Sequence, residues 1–453
     1  MPDFSDQKSR QLATQPTGKL LMHYAAPAMT AMCASFIYNI CDTIFLGQWV
    51  SSLAIAGLAI TFPLMTITTA FGSLVNVGAG AQASIYLGQD DRAGVQRILG
   101  NMMVLDLLTG LLLGLVGLLG LTPILHLFGA SAATAPYASS YMQVILLGLP
   151  ITYTFQGMAS ILRSTGHPRR SMSGQLIAVV LNVILDPIFI YLLDWGIQGA
   201  AIATVLSQLV ALIYLIPHIL SHQHIAHLTR AGLRLSRAVI RSICSIGLSP
   251  FLITLCGSSI HVAINWALLQ QGGAEGDLCV GAYGIINRIT QVLIMLIVGL
   301  GQGMQPIVGF NLGAGLYRRV QDTLWTTILV ATVIMSIGYA LLAIFPAQLA
   351  SLFTTDQAMI ELCIPALRIA LCTFPLVGSQ LIAVAFFQAI RQARISIWIS
   401  LSRQLLFLLP MLLVLPRLIG VNGVWISMSL ADVFSVTFSW IMLYRCSRRM
   451  TAR

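Results

Sequence analysis

Gly78-Ala79-Gly80-Ala81-Gln82 returns as Gly301-Gln302-Gly303-Met304-Gln305, a shift of 223 residues, and this recurrence decides how the 453-residue chain is built. Pro27 meets Pro250 at the same shift, Pro150 meets Pro375 at 225, and Gly196-Ile197-Gln198-Gly199-Ala200 meets Gly420-Val421-Asn422-Gly423-Val424 at 224. Matches spread along the chain at nearly one offset mark an internal duplication. Between polar breaks lie twelve apolar runs: 20–46, 54–84, 98–122, 134–162, 169–193, 197–220, 240–270, 280–310, 320–345, 358–389, 394–416 and 420–445. Each can cross a hydrocarbon core of about 30 Å, which takes about 20 helical residues. Unbroken apolarity without strand alternation argues for helices and against a barrel. Six runs per half is an even number, so the halves share one orientation and are related by an axis along the membrane normal. Two such lobes around a central cavity are a recurring transporter plan. The expected fold is an all-α polytopic membrane protein of twelve transmembrane helices in two pseudo-symmetric six-helix lobes. It divides into an N-terminal segment 1–19, an N-lobe 20–220, an inter-lobe linker 221–239, a C-lobe 240–445 and a basic tail 446–453.

The charges agree with this segmentation. The chain is 57% hydrophobic and 8% charged, against roughly 25% charged for a soluble domain. Of its 24 basic residues, 20 fall at the termini and in the even-numbered connections. Arg417 alone falls in an odd-numbered connection, and Arg288, Arg368 and Arg403 lie inside runs. The positive-inside rule then puts both termini in the cytoplasm. The net charge of +10 is a topological signal pointing to anionic lipid headgroups as partners, not to nucleic acid. A polar start running straight into a long apolar segment lacks the form of a cleavable signal peptide. The eight cysteines form no C-x-x-C pair and read as reduced packing residues. Trp49, Trp195, Trp325 and Trp398 sit at run ends, as interfacial anchors do. A monomer is expected.

Ionisable groups at membrane depth are the functional candidates, because each costs roughly 2.5–3.5 kcal/mol at a helix centre. The first half offers Asp42 and Asp186. Asn182 lies one helical turn before Asp186 on the same face, and Thr204 and Gln156 can add neutral oxygens. Two carboxylates with amide and hydroxyl oxygens suit a hard cation such as Na+, or a shared proton. A purely structural hydrogen-bond network is the alternative. Asp106 reads as a solvated residue near a helix end. In the second half Asn265 stands at the position matching Asp42, and Arg288, Arg368, Arg403 and Asp432 form a candidate charge network. Within it Arg403 and Asp432 can pair, and the remaining arginines can recognise an anionic group or reset the lobe. Pro27, Pro150, Pro250 and Pro375 fall inside helices, where each removes a hydrogen bond and favours a kink, either a static bend or a hinge. Tyr38, Phe62, Phe155, Tyr283 and Met295, with Asn265, are candidates for lining an adaptable cavity. His222, His224 and His227 in the linker give only a weak metal signal, and no resident metal or cofactor is expected. No phosphate-binding G-x-x-x-x-G-K-[ST] loop is present, so ATP is not the evident energy source. No H-E-x-x-H or G-x-S-x-G supports a hydrolase, and the chain is not expected to be an enzyme.

With Pro27 and Asp42 in the first helix, Asn182-Val183-Ile184-Leu185-Asp186-Pro187 in the fifth, and the glycine-rich stretch from Gly299 to Gly315, the chain resembles the multidrug and toxic compound extrusion (MATE) family. Gln305-Pro306-Ile307-Val308-Gly309-Phe310-Asn311-Leu312-Gly313-Ala314 is similar to its MepA-like subgroup. The resemblance covers essentially all of 20–445. It implies a secondary antiporter exporting lipophilic, often cationic, drugs or toxic metabolites in exchange for H+ or Na+ by alternating access. It implies cation coupling at Asp42, Asn182, Asp186 and Thr204, and less directly Gln156, with Na+ held, if at all, between Asp42 and Asp186. Some branches of the family carry a further acid on the seventh helix. None lies in that span here, which places coupling in the first lobe. A flippase or exporter of an anionic lipid-linked or metabolite substrate, which the C-lobe arginines would suit, is the alternative. A non-transporting membrane scaffold or receptor is disfavoured by the two-lobe repeat and the buried acids.

Overall fold

A computed structural model of the chain describes residues 7–221, 224–354 and 356–451. Among them the regular structure is helical throughout. A short leader helix α1 (Gln7–Thr14) precedes α2 (Thr17–Trp49), α3 (Ser52–Gly88) and α4 (Arg92–Leu119). Then come the short α5 (Leu121–Leu127), α6 (Ala135–Ser164), α7 (Pro168–Pro187) and α8 (Gly196–Leu220). The second half holds α9 (Arg237–Gly272), α10 (Gly276–Gly313), α11 (Tyr317–Ile344), the short α12 (Pro346–Ser351), α13 (Gln357–Ala370) and α14 (Phe374–Ala389). It ends with α15 (Ala393–Leu401), α16 (Leu409–Ile419) and α17 (Val421–Thr451). Among the described residues, eleven helices are long and apolar enough to cross a membrane, or twelve if the bent pair α13–α14 counts as one. This is the expected multi-pass membrane fold. All eight cysteines stand unbridged.

The tenth apolar run corrects the expectation of a continuous helix over 358–389. The chain ends α13 at Ala370 and restarts at Phe374 with a 60° bend. Pro375 therefore lies in the first turn of α14, and not inside a helix. That position tolerates proline because the N–H it lacks would have had no intrahelical acceptor. Pro27, Pro150 and Pro250 do sit within helices. The fifth and eleventh runs, equivalent in the two halves, each contain a π-helical stretch, Ile188–Leu192 after α7 and Ser402–Leu408 between α15 and α16. Such wide turns recur at functional positions in helices.

The linker is folded and not a loose strap. Asn101 Nδ2 donates to the carbonyls of Gly232 (3.0 Å) and Arg234 (3.1 Å), and Asn101 Oδ1 accepts from Ser236 N at 2.8 Å. His227 contacts Gln96, and His224 packs its ring against His167 and His218. His222 lies outside the described residues, and no cluster suited to a metal occurs among those described. At the other lobe, Arg319 Nη2 holds the leader segment through the carbonyls of Leu12 (3.2 Å) and Gln15 (2.6 Å).

The lobes meet chiefly through α3 against α9 and α2 against α10, and the repeated glycines explain how. A Cβ on Gly78 would lie 2.1 Å from the carbonyl oxygen of Ile243, and one on Gly247 would lie 1.7 Å from that of Leu74. In the second copy of the motif, a Cβ on Gly303 would lie 2.4 Å from Ala25 Cα. Gly78 and Gly303 of the recurring motif, with Gly247, thus lie at a seam where backbones of opposite lobes touch, whereas Gly80 and Gly301 face side chains of their own lobes. The seam lies in the half of the bundle nearer the basic loops. Gly247→Leu cannot fit this seam, since overpacking a close contact costs about 1–3 kcal/mol or more. Spin labels at Arg92 and Arg241, on opposite lobes, are expected to report longer separations in that variant. An unchanged distance distribution in folded protein would remove the seam as the element that closes this end.

Candidate functional site

The first lobe encloses a cavity of about 150 Å3 between α2, α3, α6 and α8. Its wall includes Tyr38, Asp42, Tyr141, Thr152, Tyr153, Gln156, Thr204 and Gln208. Asp42 is 7% exposed and reaches the cavity, with its Oδ1 buried and without a hydrogen-bond partner among the described residues. Behind this wall, on α7, Asn182 and Asp186 are buried. One helical turn separates them, so Asn182 Nδ2 donates to Asp186 Oδ1 at 3.2 Å and also to Thr204 Oγ1 at 3.3 Å. The Thr204 hydroxyl is in turn committed to the Ala200 carbonyl at 3.0 Å. Asp186 Oδ2 and Asn182 Oδ1 are left buried without a partner among the described residues. Asp42 and Tyr141 share the cavity wall, and Asp186 lies on α7, outside that wall.

The chemistry of this site follows from its inventory. Its uncommitted buried atoms are acceptor oxygens: one from each carboxylate and one from an amide. No Lys or Arg is paired with either acid among the described residues. An acceptor-rich, donor-poor site is completed by a proton or a small cation. The structure thus brings together Asp42, Asn182, Asp186 and Thr204, and places Gln156 on the same cavity wall.

Other candidates are distributed differently. Of the proposed cavity-lining side chains, Tyr38 is on the wall. Phe155 and Tyr283 are instead packed in the apolar core. The Tyr283 hydroxyl lies 2.7 Å from His261 Nδ1. Phe62 is exposed, Met295 is half-buried, and neither borders this cavity. Asn265 is half-buried on α9 with Oδ1 unpartnered among the described residues. Several wall residues are not among the sequence candidates, the polar Tyr141, Thr152, Tyr153 and Gln208 among them. Thr152 Oγ1 donates to Gln208 Oε1 at 2.5 Å, joining α6 to α8. Their signal was present, since Thr152 precedes Gln156, and Gln208 follows Thr204, by one helical turn.

In the second lobe, Arg403 Nε donates to Asp432 Oδ1 at 2.6 Å, and Thr373 Oγ1 donates to Asp432 Oδ2 at 3.2 Å. The four-residue network is smaller than expected. Arg288 and Arg368 are both exposed and do not fill the lobe interior. Because α13 stops at Ala370, Arg368 falls in a last helical turn, where a cation faces the helix C-terminal carbonyls. Asp106 also departs from expectation. It is the fifteenth of the 28 residues of α4, at the middle of the span, and is fully buried.

Comparison with known proteins fits this architecture. The MatE family profile matches residues 27–188 and 250–413, one stretch in each half of the duplication. The multidrug export protein MepA of Staphylococcus aureus (strain N315) is 28% identical over 452 residues, covering 98% of both chains. The protein of the same name from Staphylococcus saprophyticus is 26% identical, covering 96% of this chain and 95% of its own. Among solved structures, a multidrug-resistance MATE transporter in an outward-facing conformation superposes with a TM-score of 0.93 over the full length of both chains at 23% identity. With both halves matched by one family profile, the chain belongs to the MatE family.

Proposed function

We propose that the protein is a secondary multidrug exporter of a bacterial inner membrane, moving lipophilic, often cationic, compounds outward in exchange for H+ or Na+. Both termini and the basic loops face the cytoplasm in this reading. The glycine seam then closes the cytoplasmic side, and the first-lobe cavity faces outward. The observation that carries the proposal is Asp42 on the cavity wall, backed by Asp186, Asn182 and Thr204 with acceptor oxygens uncommitted. The names of the Staphylococcus relatives support the substrate class.

The mechanism runs in two strokes. From outside, H+ or Na+ completes the acceptor set shared by Asp42 and Asp186. Neutralised, the two acids no longer favour a cationic compound in the cavity, and it leaves outward. The same neutralisation changes the hydrogen bonding between α2 and α7, and α2 yields at Pro27, where a backbone hydrogen bond is already missing. The lobes then part at the glycine seam, expose the site inward and discharge the ion. An inward-moving cation gains about 2.3 kcal/mol per 100 mV of membrane potential, which drives export when the exchange is electrogenic.

A second reading, export or flipping of an anionic substrate, draws on Arg288 and Arg368, both exposed on the second lobe. Ethidium accumulation in a drug-sensitive bacterium separates the two. Cells producing the protein are expected to hold several-fold less ethidium, with the difference lost when ion gradients are collapsed. Equal accumulation, with anions and not organic cations protecting the purified protein from heat, would replace the first reading by the second.

A further inference from the structure

The first lobe holds a third buried acid that the exchange mechanism above does not use. Asp106 of α4 is fully buried, and both its carboxylate oxygens lack a hydrogen-bond partner among the described residues. Asn76 of α3 is 5% exposed, and its Oδ1 is likewise unpartnered. Both approach α6 at the same residue, one without a side chain. A Cβ on Gly157 would lie 2.4 Å from Asp106 Oδ2, 2.7 Å from Asn76 Oδ1 and 2.9 Å from Met102 Sδ. Asn76 is held in place on both sides: its Nδ2 donates to the Tyr153 carbonyl at 3.4 Å, and its own carbonyl accepts from Ser160 Oγ at 2.9 Å. These bonds tie it to α6, whose Tyr153 and Gln156 side chains form the cavity wall.

We propose that Asp106 and Asn76 form a second proton-binding site of the first lobe, in which the protonated Asp106 carboxyl donates to Asn76 Oδ1. Three buried acceptor oxygens converge there without a donor, and one proton supplies it. A hard metal ion is the poorer fit. It asks for a shell of several oxygens, whereas the third neighbour here is the soft thioether of Met102. The polar surroundings offer this carboxyl no hydrogen-bond donor among the described residues. Tyr153 of α6 is the titratable side chain that interacts with Asp106, and its hydroxyl is committed to the Thr68 carbonyl. Of the other helices packed on α4, α3 carries no charged residue, and the charged residues of α9, Arg237 and Arg241, lie in its first two turns. The site lies beside the cavity wall, where a proton can be exchanged when α6 shifts. Its part in transport rests on the exporter reading; the proton itself does not.

Infrared difference spectroscopy of the purified full-length protein tests this directly. In an Asp42→Asn/Asp186→Asn background, the C=O stretch of a protonated carboxyl is expected at neutral pH. It should shift in D2O, disappear on alkaline titration, and be lost when Asp106→Asn is added. Gly157→Ala, which keeps the acid but crowds it, should move the band without abolishing it. Absence of the band in the double variant would overturn the proposal. So would a band indifferent to pH and D2O, which marks a sealed structural proton. Heat stabilisation by Na+ that Asp106→Asn removes would also overturn it, by making this a cation site. Should the wild-type protein move no ethidium, the exporter reading fails while the spectroscopic result stands.

Discussion

Neutralising Asp42 and Asp186 together, as Asp42→Asn/Asp186→Asn, is expected to reduce gradient-driven export roughly 5- to 150-fold, the range of a coupling free energy of about 1–3 kcal/mol. The protein should still fold. Asparagine keeps the size and one acceptor oxygen of each side chain, so Asn182 Nδ2 retains its acceptor at position 186 and its bond to Thr204. What disappears is the charge that distinguishes the ion-free from the ion-loaded state. Without a differential interaction, an ion gradient cannot shift the conformational equilibrium. Asp42→Asn alone should weaken binding of cationic compounds more than Asp186→Asn, because Asp42 borders the cavity and Asp186 lies behind its wall. Ethidium affinity of each purified variant, measured beside its driven flux, checks both statements. Full flux in the double variant would mean that the acids are structural.

The Arg403–Asp432 pair should behave in the opposite way, as a matter of stability first. Arg403→Leu is expected to cost about 3–5 kcal/mol, the usual penalty for stranding a buried charge. Asp432 is left 2% exposed with only the Thr373 hydroxyl to satisfy it. Asp432→Asn should cost less. The Arg403 side chain is 33% exposed and can turn its guanidinium toward water, while an amide oxygen still accepts from Thr373. Removing both charges, as Arg403→Leu/Asp432→Leu, should recover most of the loss, because a well-packed apolar pair often matches a buried ion pair. Thermal unfolding of the three purified variants measures the order. If Asp432→Asn proves the more damaging, or the double variant the worst, the pair does more than hold α17 to its neighbours. An Asp432→Asn variant that folds and transports normally would leave that acid no role in export.

How much of this was legible in the sequence depended on which signal each residue carries. The duplication and the basic loops were readable because both repeat along the chain, and two glycines of the recurrence, Gly78 and Gly303, lie at the lobe seam. The acids of the first-lobe site stood out because charge in an apolar run is conspicuous. Neutral wall residues such as Thr152 and Gln208 were not, although their spacing from Gln156 and Thr204 marks the same face. Asp106 was misplaced by a boundary error. The apolar run begins at 98, but Asp91 caps the helix by accepting from Gly94 N at 2.8 Å, so the span starts at Arg92 and Asp106 falls at its middle. The break before α14 was hidden because Leu371-Cys372-Thr373-Phe374 is as apolar as its flanks, and Pro375 reads equally as an interior kink or a first-turn residue. Phe155 and Tyr283 show a plainer limit. Inside a membrane protein apolar residues point to core, lipid and cavity alike, so hydropathy does not orient an aromatic ring.

The central claim is ion-driven export through the first-lobe acids. It is tested most directly by reconstituting the purified protein into liposomes and following ethidium under an imposed H+ or Na+ gradient. The account predicts that one of these gradients moves ethidium uphill in wild-type vesicles and that Asp42→Asn/Asp186→Asn cuts the movement by at least about 5-fold. Folded wild-type protein that moves no ethidium under either gradient would contradict it, as would undiminished driven flux in the double variant.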